Sequence, residues 1–180
     1  MIAVLSSEAT TIGIRDAADA DLPSVVEILN GEISVSPYLY MEQPITLGER
    51  LNWLAVHRAA RLPVLVATLD EQVVGWASLS RYRPSSGYRH TAEVSVYVDP
   101  SAQRRGVARR LVTALHDWAS TAGLRAIVAS IDSENAASAG LFESLGYGEV
   151  ARLPDVGRKF DRWRTQLLYH RAVQPRRESE

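Results

Sequence analysis

The stretch T-A-E-V-S-V-Y-V-D-P-S-A-Q-R-R-G-V-A-R-R-L-V-T-A-L, Thr91 to Leu115, decides the reading of this chain. Its first eight residues have the β-branched, apolar character of a strand. Asp99-Pro100 turns the chain, an arginine- and glycine-bearing loop follows, and an amphipathic helix begins near Val107. Val107, Ala108, Leu111, Val112, Leu115, Trp118 and Ala119 recur at helical spacing and form one apolar face. Gly106 and Ala108 are small enough to let backbone approach a ligand closely. A helix N-terminus offers unpaired N–H groups and the positive end of its dipole, and Arg104, Arg105, Arg109 and Arg110 add charge beside it. This combination suits an anion such as a pyrophosphate. An isolated R-R-G-V-A-R-R would read as a solvated helix start; the preceding strand and the apolar face after it argue otherwise.

Gln103 to Ala108 resembles the Q/R-x-x-G-x-G/A motif of the GNAT N-acetyltransferases, in which this loop holds the pyrophosphate of acetyl-CoA. Ile14–Pro23, Arg81–Val98, Ser133–Tyr147 and Val156–Trp163 resemble the phosphinothricin and methionine sulfoximine branch of that superfamily. The resemblance implies an α/β (α+β) domain with a central mixed, largely antiparallel twisted sheet flanked by helices on both faces. It also implies acetyl-CoA as co-substrate, a small amino-acid-like amine as acceptor, and a homodimer.

The order of predicted elements agrees with one such domain over residues 12–172, after a loose leader (1–11) and before a solvated tail (173–180). A short strand at Ile12–Ile14 precedes a helix from Asp21 to Asn30, with Pro23 in its first turn and Gly31 ending it. Ser34 to Pro44 reads as a loop. Thr46-x-x-Glu49 has the form of a capping box ahead of a helix bearing Leu51, Trp53, Leu54 and Val56. Val64–Leu69 and Val73–Leu79 form a hairpin around Asp70-Glu71-Gln72. After the Thr91–Leu115 unit come a strand at Leu124–Ile131, a helix at Asn135–Leu145 stopped by Gly146, and closing strands at Glu149–Leu153 and Trp163–His170.

Composition sets outer limits. The chain has 180 residues, 46% of them hydrophobic, enough for one domain with a full core. A net charge of −1 makes the arginine cluster local and argues against nucleic acid as a partner. The chain has no cysteine, which excludes disulfides, thiolate metal sites and a cysteinyl acyl-enzyme, and fits a cytoplasmic setting. No apolar run approaches the roughly 20 residues of a membrane span. The four histidines lack metal-ligand spacing, and no metal is expected.

Glu93 is the candidate general base. A carboxylate inside an apolar strand is costly unless it faces a cleft or a partner, and acetyl transfer needs a group that removes the ammonium proton. On its own Glu93 would sooner be read as an ordinary outward-facing strand residue; the resemblance places it at the family's catalytic glutamate. By the same resemblance, the backbones of Val96, Tyr97 and Val98 bind the pantetheine arm. Arg104, Arg105, Gly106, Val107, Ala108 and Arg109 hold the pyrophosphate, and Asn135 bonds the cofactor. Asn135 also has a simpler reading as a helix N-cap. Arg83 is the first choice for a substrate carboxylate, with Arg81 and Arg89 as competitors and Pro84 and Ser85 beside it. Val94, Ser95 and Tyr40 complete the expected substrate contacts. Where many relatives carry a Tyr or His to protonate the leaving thiolate this chain has Phe142, which leaves Tyr97 or a water for that step. Lys159 and Phe160 could reach either the mouth of the site or a partner subunit. Two other readings stay open: acetylation of a polyamine, aminoglycoside or protein N-terminus, and a weakly catalytic acyl-CoA-binding protein.

Overall fold

The computed structural model describes residues 11–174, which build a seven-stranded mixed sheet with two helices on each face. The strands are β1 (Gly13–Asp16), β2 (Val64–Leu69), β3 (Gln72–Arg81), β4 (Thr91–Val98), β5 (Ala126–Asp132), β6 (Gly148–Lys159) and β7 (Arg162–Ala172). The helices are α1 (Leu22–Val35), α2 (Leu47–Ala59), α3 (Val107–Thr121) and α4 (Ala136–Ser144). Spatial order is β1-β2-β3-β4-β5-β7-β6, and only the β4–β5 pair is parallel. The leader proposed for residues 1–11 lies almost wholly outside the described residues, as does most of the tail. Val173, at the tail's proposed start, is buried and donates its N–H to the Arg125 carbonyl at 3.0 Å.

Alternation along the strands separates two cores. Leu65, Ala67, Ala77, Leu79, Ala92 and Val94 point to the side of α3 and α4, where Leu111, Val112 and Leu115 are fully buried. Val64, Val66 and Trp76 point to the other side and pack against Leu22, Val25, Leu29 and Leu54 of α1 and α2. The predicted capping box at the start of α2 is formed: the Glu49 N–H donates to Thr46 Oγ1 at 3.2 Å, and the Thr46 N–H donates to Glu49 Oε2 at 2.7 Å.

Two boundaries differ from the sequence reading by more than two residues. The first helix does not stop at Gly31 but runs on to Val35, because Ile33 is buried in the α1/α2 core. That burial, worth about 1.5–3 kcal/mol, exceeds the roughly 1 kcal/mol cost of an interior glycine. The closing hairpin is also longer than predicted. Beyond Leu153, β6 carries Pro154 and a left-handed Asp155 in a bulge, then resumes pairing at Gly157 opposite Arg164.

His116 packs inside the α3 layer with its Nε2 2.8 Å from the Tyr147 hydroxyl. Burial and the nearby Arg171 push its pKa down to about 4, against a smaller opposing effect of Asp117. Its folded value therefore lies below its unfolded one, near 6.5, and the unfolded chain binds the proton more readily between them. Unfolding free energy should be fully supported by this residue above pH 6.5 and should fall as pH drops toward 4. Denaturant titrations across that range should show the slope in wild type and a shallower one in His116→Gln.

Candidate active site

The feature that organises the site is a split between two neighbouring strands. β4 pairs with β3 from Ala92 to Val98, but it pairs with β5 only at Thr91, Ala92 and Glu93. Beyond Glu93 the two strands part. The Val94–Val98 backbone therefore has its β5-side groups outside the ladder, among the described residues. α3 packs on β3 and β4, and the first residue at its N-terminus, Val107, meets Gly75, the register partner of Val98 at the end of β4.

That N-terminus has the geometry the sequence suggested. Gly106 takes φ +83° and is the N-cap of α3 without any side-chain cap bond. Arg104, just before it, is also left-handed at φ 58°. A Cβ built on Gly106 would meet no protein atom within 4 Å, so the glycine is required by its backbone angle rather than by protein packing. Arg104 and Arg105 are exposed beside it. Arg109 donates to the Ser144 hydroxyl at 2.8 Å, fixing its guanidinium between α3 and α4. Val107 and Ala108 supply backbone at the first turn.

Glu93 stands where β4 and β5 begin to diverge. Ser130 on β5, two residues past Glu93's partner Val128, donates its hydroxyl to Glu93 Oε1 at 2.6 Å. On the same face of β4, Ser95 and Tyr97 follow Glu93 and line a cavity of about 360 Å³ between the sheet and helices α1 and α2. Ser80, opposite Glu93 in the β3–β4 register, lines it too, so the cavity opens beside the carboxylate. Leu29, Met41, Ile45 and Trp53 make its apolar wall.

Three contacts hold the loop that carries Met41 and Ile45. Asn30 forms a two-way clamp with the Ile45 backbone at 2.9 Å each way. Lys159, which the sequence placed at either the mouth or a partner surface, is buried and donates to the carbonyls of Ile33, at 2.7 Å, and Met41. Tyr40 seats its ring on Gly157, where any Cβ would come within 2.3 Å of it, and donates its hydroxyl to Asp132 at 2.8 Å. Burial and this hydrogen bond raise the Tyr40 pKa well above its ordinary value, so the hydroxyl stays a donor. Tyr40, expected at the substrate, thus has its polar end committed to the frame.

The remaining predicted residues separate. Asn135 acts as the N-cap of α4, its Oδ1 accepting the Ser138 N–H at 3.0 Å. Phe142 is buried edge-on to Tyr147, in the core. Tyr97 stacks on Trp76 at 4.7 Å, and burial pushes its pKa up to about 12, which keeps the phenol protonated. Val94 turns its side chain to the α3 core and leaves only backbone on the opposite side. Arg83, Pro84 and Ser85 are exposed on the loop between β3 and β4, and the Arg83 guanidinium lies over Tyr82 and Tyr88 at 5.2 and 5.8 Å.

The sequence pattern of the Acetyltransferase (GNAT) family matches residues 25–147, which include the split strands and the glycine loop. The chain belongs to the GNAT acetyltransferases. It is 39% identical over 151 residues to the L-methionine sulfoximine/L-methionine sulfone acetyltransferase of Pseudomonas aeruginosa, covering 83% of this chain and 88% of that one. Similarity to the L-amino acid N-acyltransferase MnaT of Escherichia coli is nearly the same, 38% over 152 residues, covering 84% and 88% of the two chains. The crystal structure of a GNAT superfamily phosphinothricin acetyltransferase from Sinorhizobium meliloti in complex with acetyl-CoA superposes with a TM-score of 0.88 at 27% identity, covering 91% of this chain and 89% of that one. The sheet with its helices is thus the GNAT fold, and the chain is an N-acetyltransferase whose close homologues act on amino-acid analogues.

Most of the cavity lining escaped the sequence reading, Arg50 above all. Arg50, on α2, is 6% exposed and lines the cavity with its guanidinium 4.0 Å from the Trp53 ring and 4.5 Å from the Trp76 ring. Its only local signal is Trp53 three residues on, at the spacing that stacks side chains on a helix. Among the described residues no group of three or more His, Asp or Glu side chains could hold a metal ion, and no helix is long and apolar enough to cross a membrane.

Proposed function

We propose that this acetyltransferase moves acetyl from acetyl-CoA to the α-amine of a small amino acid or analogue, by direct attack in a ternary complex. The observation that carries the reading is the meeting of three features at the point where β4 leaves β5. These are unpaired strand backbone, the Glu93 carboxylate, and a small cavity with an apolar wall.

In this reading the acetyl-CoA pyrophosphate rests on the α3 N-terminus, held by the N–H groups of Gly106, Val107 and Ala108 and by Arg104, Arg105 and Arg109. The pantetheine arm follows the β4 edge at Val96, Tyr97 and Val98, as an added strand would. A backbone N–H in that segment polarises the thioester carbonyl. Asn135 approaches the cofactor by way of the α4 cap. The amine enters through the cavity past Ser95 and the Val94 backbone. Arg83, Pro84 and Ser85 form the entrance loop, and Tyr40 positions the opposite loop. Glu93 takes the ammonium proton, directly or through a water, and the neutral nitrogen attacks the thioester carbon. The zwitterionic tetrahedral intermediate loses its second nitrogen proton to water and expels the CoA thiolate. Tyr97, a protonated phenol on the cavity wall, or solvent returns a proton to the sulfur; Phe142 cannot. The molecule works as a homodimer in this reading, for which the exposed Val150, Val156, Phe160 and Trp163 on the β6–β7 hairpin supply an apolar surface.

Two measurements test this account. Gly106→Val forces a β-branched residue into a left-handed backbone. Losing even one charge-assisted N–H contact to the pyrophosphate should weaken acetyl-CoA binding by about 10- to 100-fold, as read by calorimetry. Unchanged affinity would remove the loop from the cofactor site. Initial rates with L-amino acids, a polyamine, an aminoglycoside and a peptide N-terminus should favour the amino acids. A preference for any of the others would replace the proposed acceptor.

A further inference from the structure

The buried side-chain atoms without a hydrogen-bond partner among the described residues are Arg50 Nε, Arg50 Nη2 and Trp76 Nε1. All three are donors, and both residues line the cavity beside Glu93. Buried donors without acceptors are rare in folded proteins, and a buried guanidinium without a carboxylate is rarer still. The ion pairs of the described residues include none with Arg50. The rings of Trp53 and Trp76 compensate part of its charge through their faces, which leaves the in-plane N–H groups uncommitted.

The geometry points to Arg50 as the receptor for the acceptor's α-carboxylate: Nε, Nη2 and the Trp76 indole N–H are closed off from the cavity as the side chains stand, and a turn of the guanidinium presents its two-pronged Nε–Nη2 edge to an entering carboxylate. This inference rests on the proposed amino-acid acceptor and assigns it an orientation. Nε and the adjacent Nη of a guanidinium lie in one plane at the spacing of the two oxygens of a carboxylate. Clamped there, the carboxylate lies between two aromatic walls, and the amine on the neighbouring carbon is free to turn toward Ser95 and the Glu93 end of the cavity. The side chain then falls among Leu29, Met41 and Ile45. Burial depresses the Arg50 pKa to about 10, with Tyr97 partly opposing, so the guanidinium remains charged near neutrality and gains a counter-charge when an anion binds. Exposed Arg83, which the sequence favoured for this task, stands in solvent outside the cavity lining. A polyamine or aminoglycoside would instead bring more positive charge against a buried cation, which disfavours both as acceptors.

The test compares L-methionine sulfone with its carboxamide, which keeps the amine and the side chain but lacks the anion. With wild type, kcat/KM should be much higher for the acid. Arg50→Met should lower kcat/KM for the acid by about 10- to 100-fold, chiefly through KM, and change the amide little, so that the acid/amide ratio collapses. Arg50→Lys, which keeps a charge in the same place and guards against misfolding of the Met variant, should restore only part of the ratio. Arg83→Ala should leave the ratio intact. A ratio that survives in both Arg50 variants, whether the two rates fall together or not at all, overturns the inference and leaves Arg50 as packing between two tryptophans. A ratio that collapses in Arg83→Ala instead overturns it in favour of the loop. If wild type acetylates polyamines but neither the acid nor the amide, the amino-acid reading itself fails and the inference falls with it.

Discussion

Glu93→Gln lowers the rate of acetyl transfer by roughly 10²–10⁴-fold while acetyl-CoA affinity stays unchanged. The substitution is nearly isosteric. Gln can still accept the Ser130 hydroxyl through its amide oxygen, so the strand geometry at the β4–β5 divergence is kept. What disappears is the capacity to accept a proton. An amino-acid α-ammonium must lose one before its nitrogen can attack, and the carboxylate among the described cavity-lining residues is Glu49, whose Oε2 already accepts from the Thr46 N–H and hydroxyl at the head of α2. The wild-type rate should rise with pH through one ionisation. In Glu93→Gln the residual rate should still rise with pH as the free α-amine fraction grows, since proton removal then falls to solvent. Calorimetric acetyl-CoA binding alongside pH-rate profiles separates a lost base from a disturbed cofactor site. A Gln variant with wild-type rates would transfer proton removal to solvent.

The second large effect is on stability. Arg164→Met should destabilise the fold by about 3–5 kcal/mol, because it leaves the buried Asp132 carboxylate without its counter-charge. Arg164 grips Asp132 with Nε at 2.8 Å and Nη2 at 2.6 Å, and its Nη1 reaches Glu134 at 3.1 Å. Both members of the central pair are inaccessible to solvent. Burial pushes the Asp132 pKa up, but bonds from Arg164, the Glu134 N–H and the Tyr40 hydroxyl outweigh it and hold the group below its ordinary value. Its folded pKa being the lower one, the contribution is complete above about pH 4 and is lost as pH falls through the folded value. Denaturant unfolding of wild type, Arg164→Met and the Asp132→Leu/Arg164→Met double variant checks this. The double variant should recover part of the loss, since no unpaired charge remains buried. The Met variant should also raise KM for the acceptor, since Asp132 anchors Tyr40 and Tyr40 steadies the loop bearing Met41 and Ile45.

The parts of this molecule visible in its sequence are those whose cause is local. The Thr91–Leu115 unit was legible because strand alternation, a Pro turn, a glycine that takes φ +83° and a helical stripe each leave their own mark in adjacent residues. The capping box at Thr46 and Glu49 is local in the same way. Gly31 misled because the local cost of glycine is outweighed by the burial of Ile33, a tertiary fact. Asp132 and Arg164 are 32 residues apart and meet only once β5 and β7 pair. Arg50 is the sharpest case. Beside Glu49 on a helix it reads as one more solvated charge, and only the arrival of Trp76 from β3 closes it in. Glu93 and the glycine loop were singled out through family resemblance and motif chemistry, whereas the cavity depends on two helices, a loop and two strands coming together.

The most direct measurement of the central claim follows initial velocities with acetyl-CoA and L-methionine sulfone both varied, quantifying free CoA and N-acetylated product together. The account predicts one CoA released per acetyl group found on the α-nitrogen, with double-reciprocal lines that intersect, as direct transfer in a ternary complex requires. Parallel lines, or CoA released without acetylated amino acid, would contradict it.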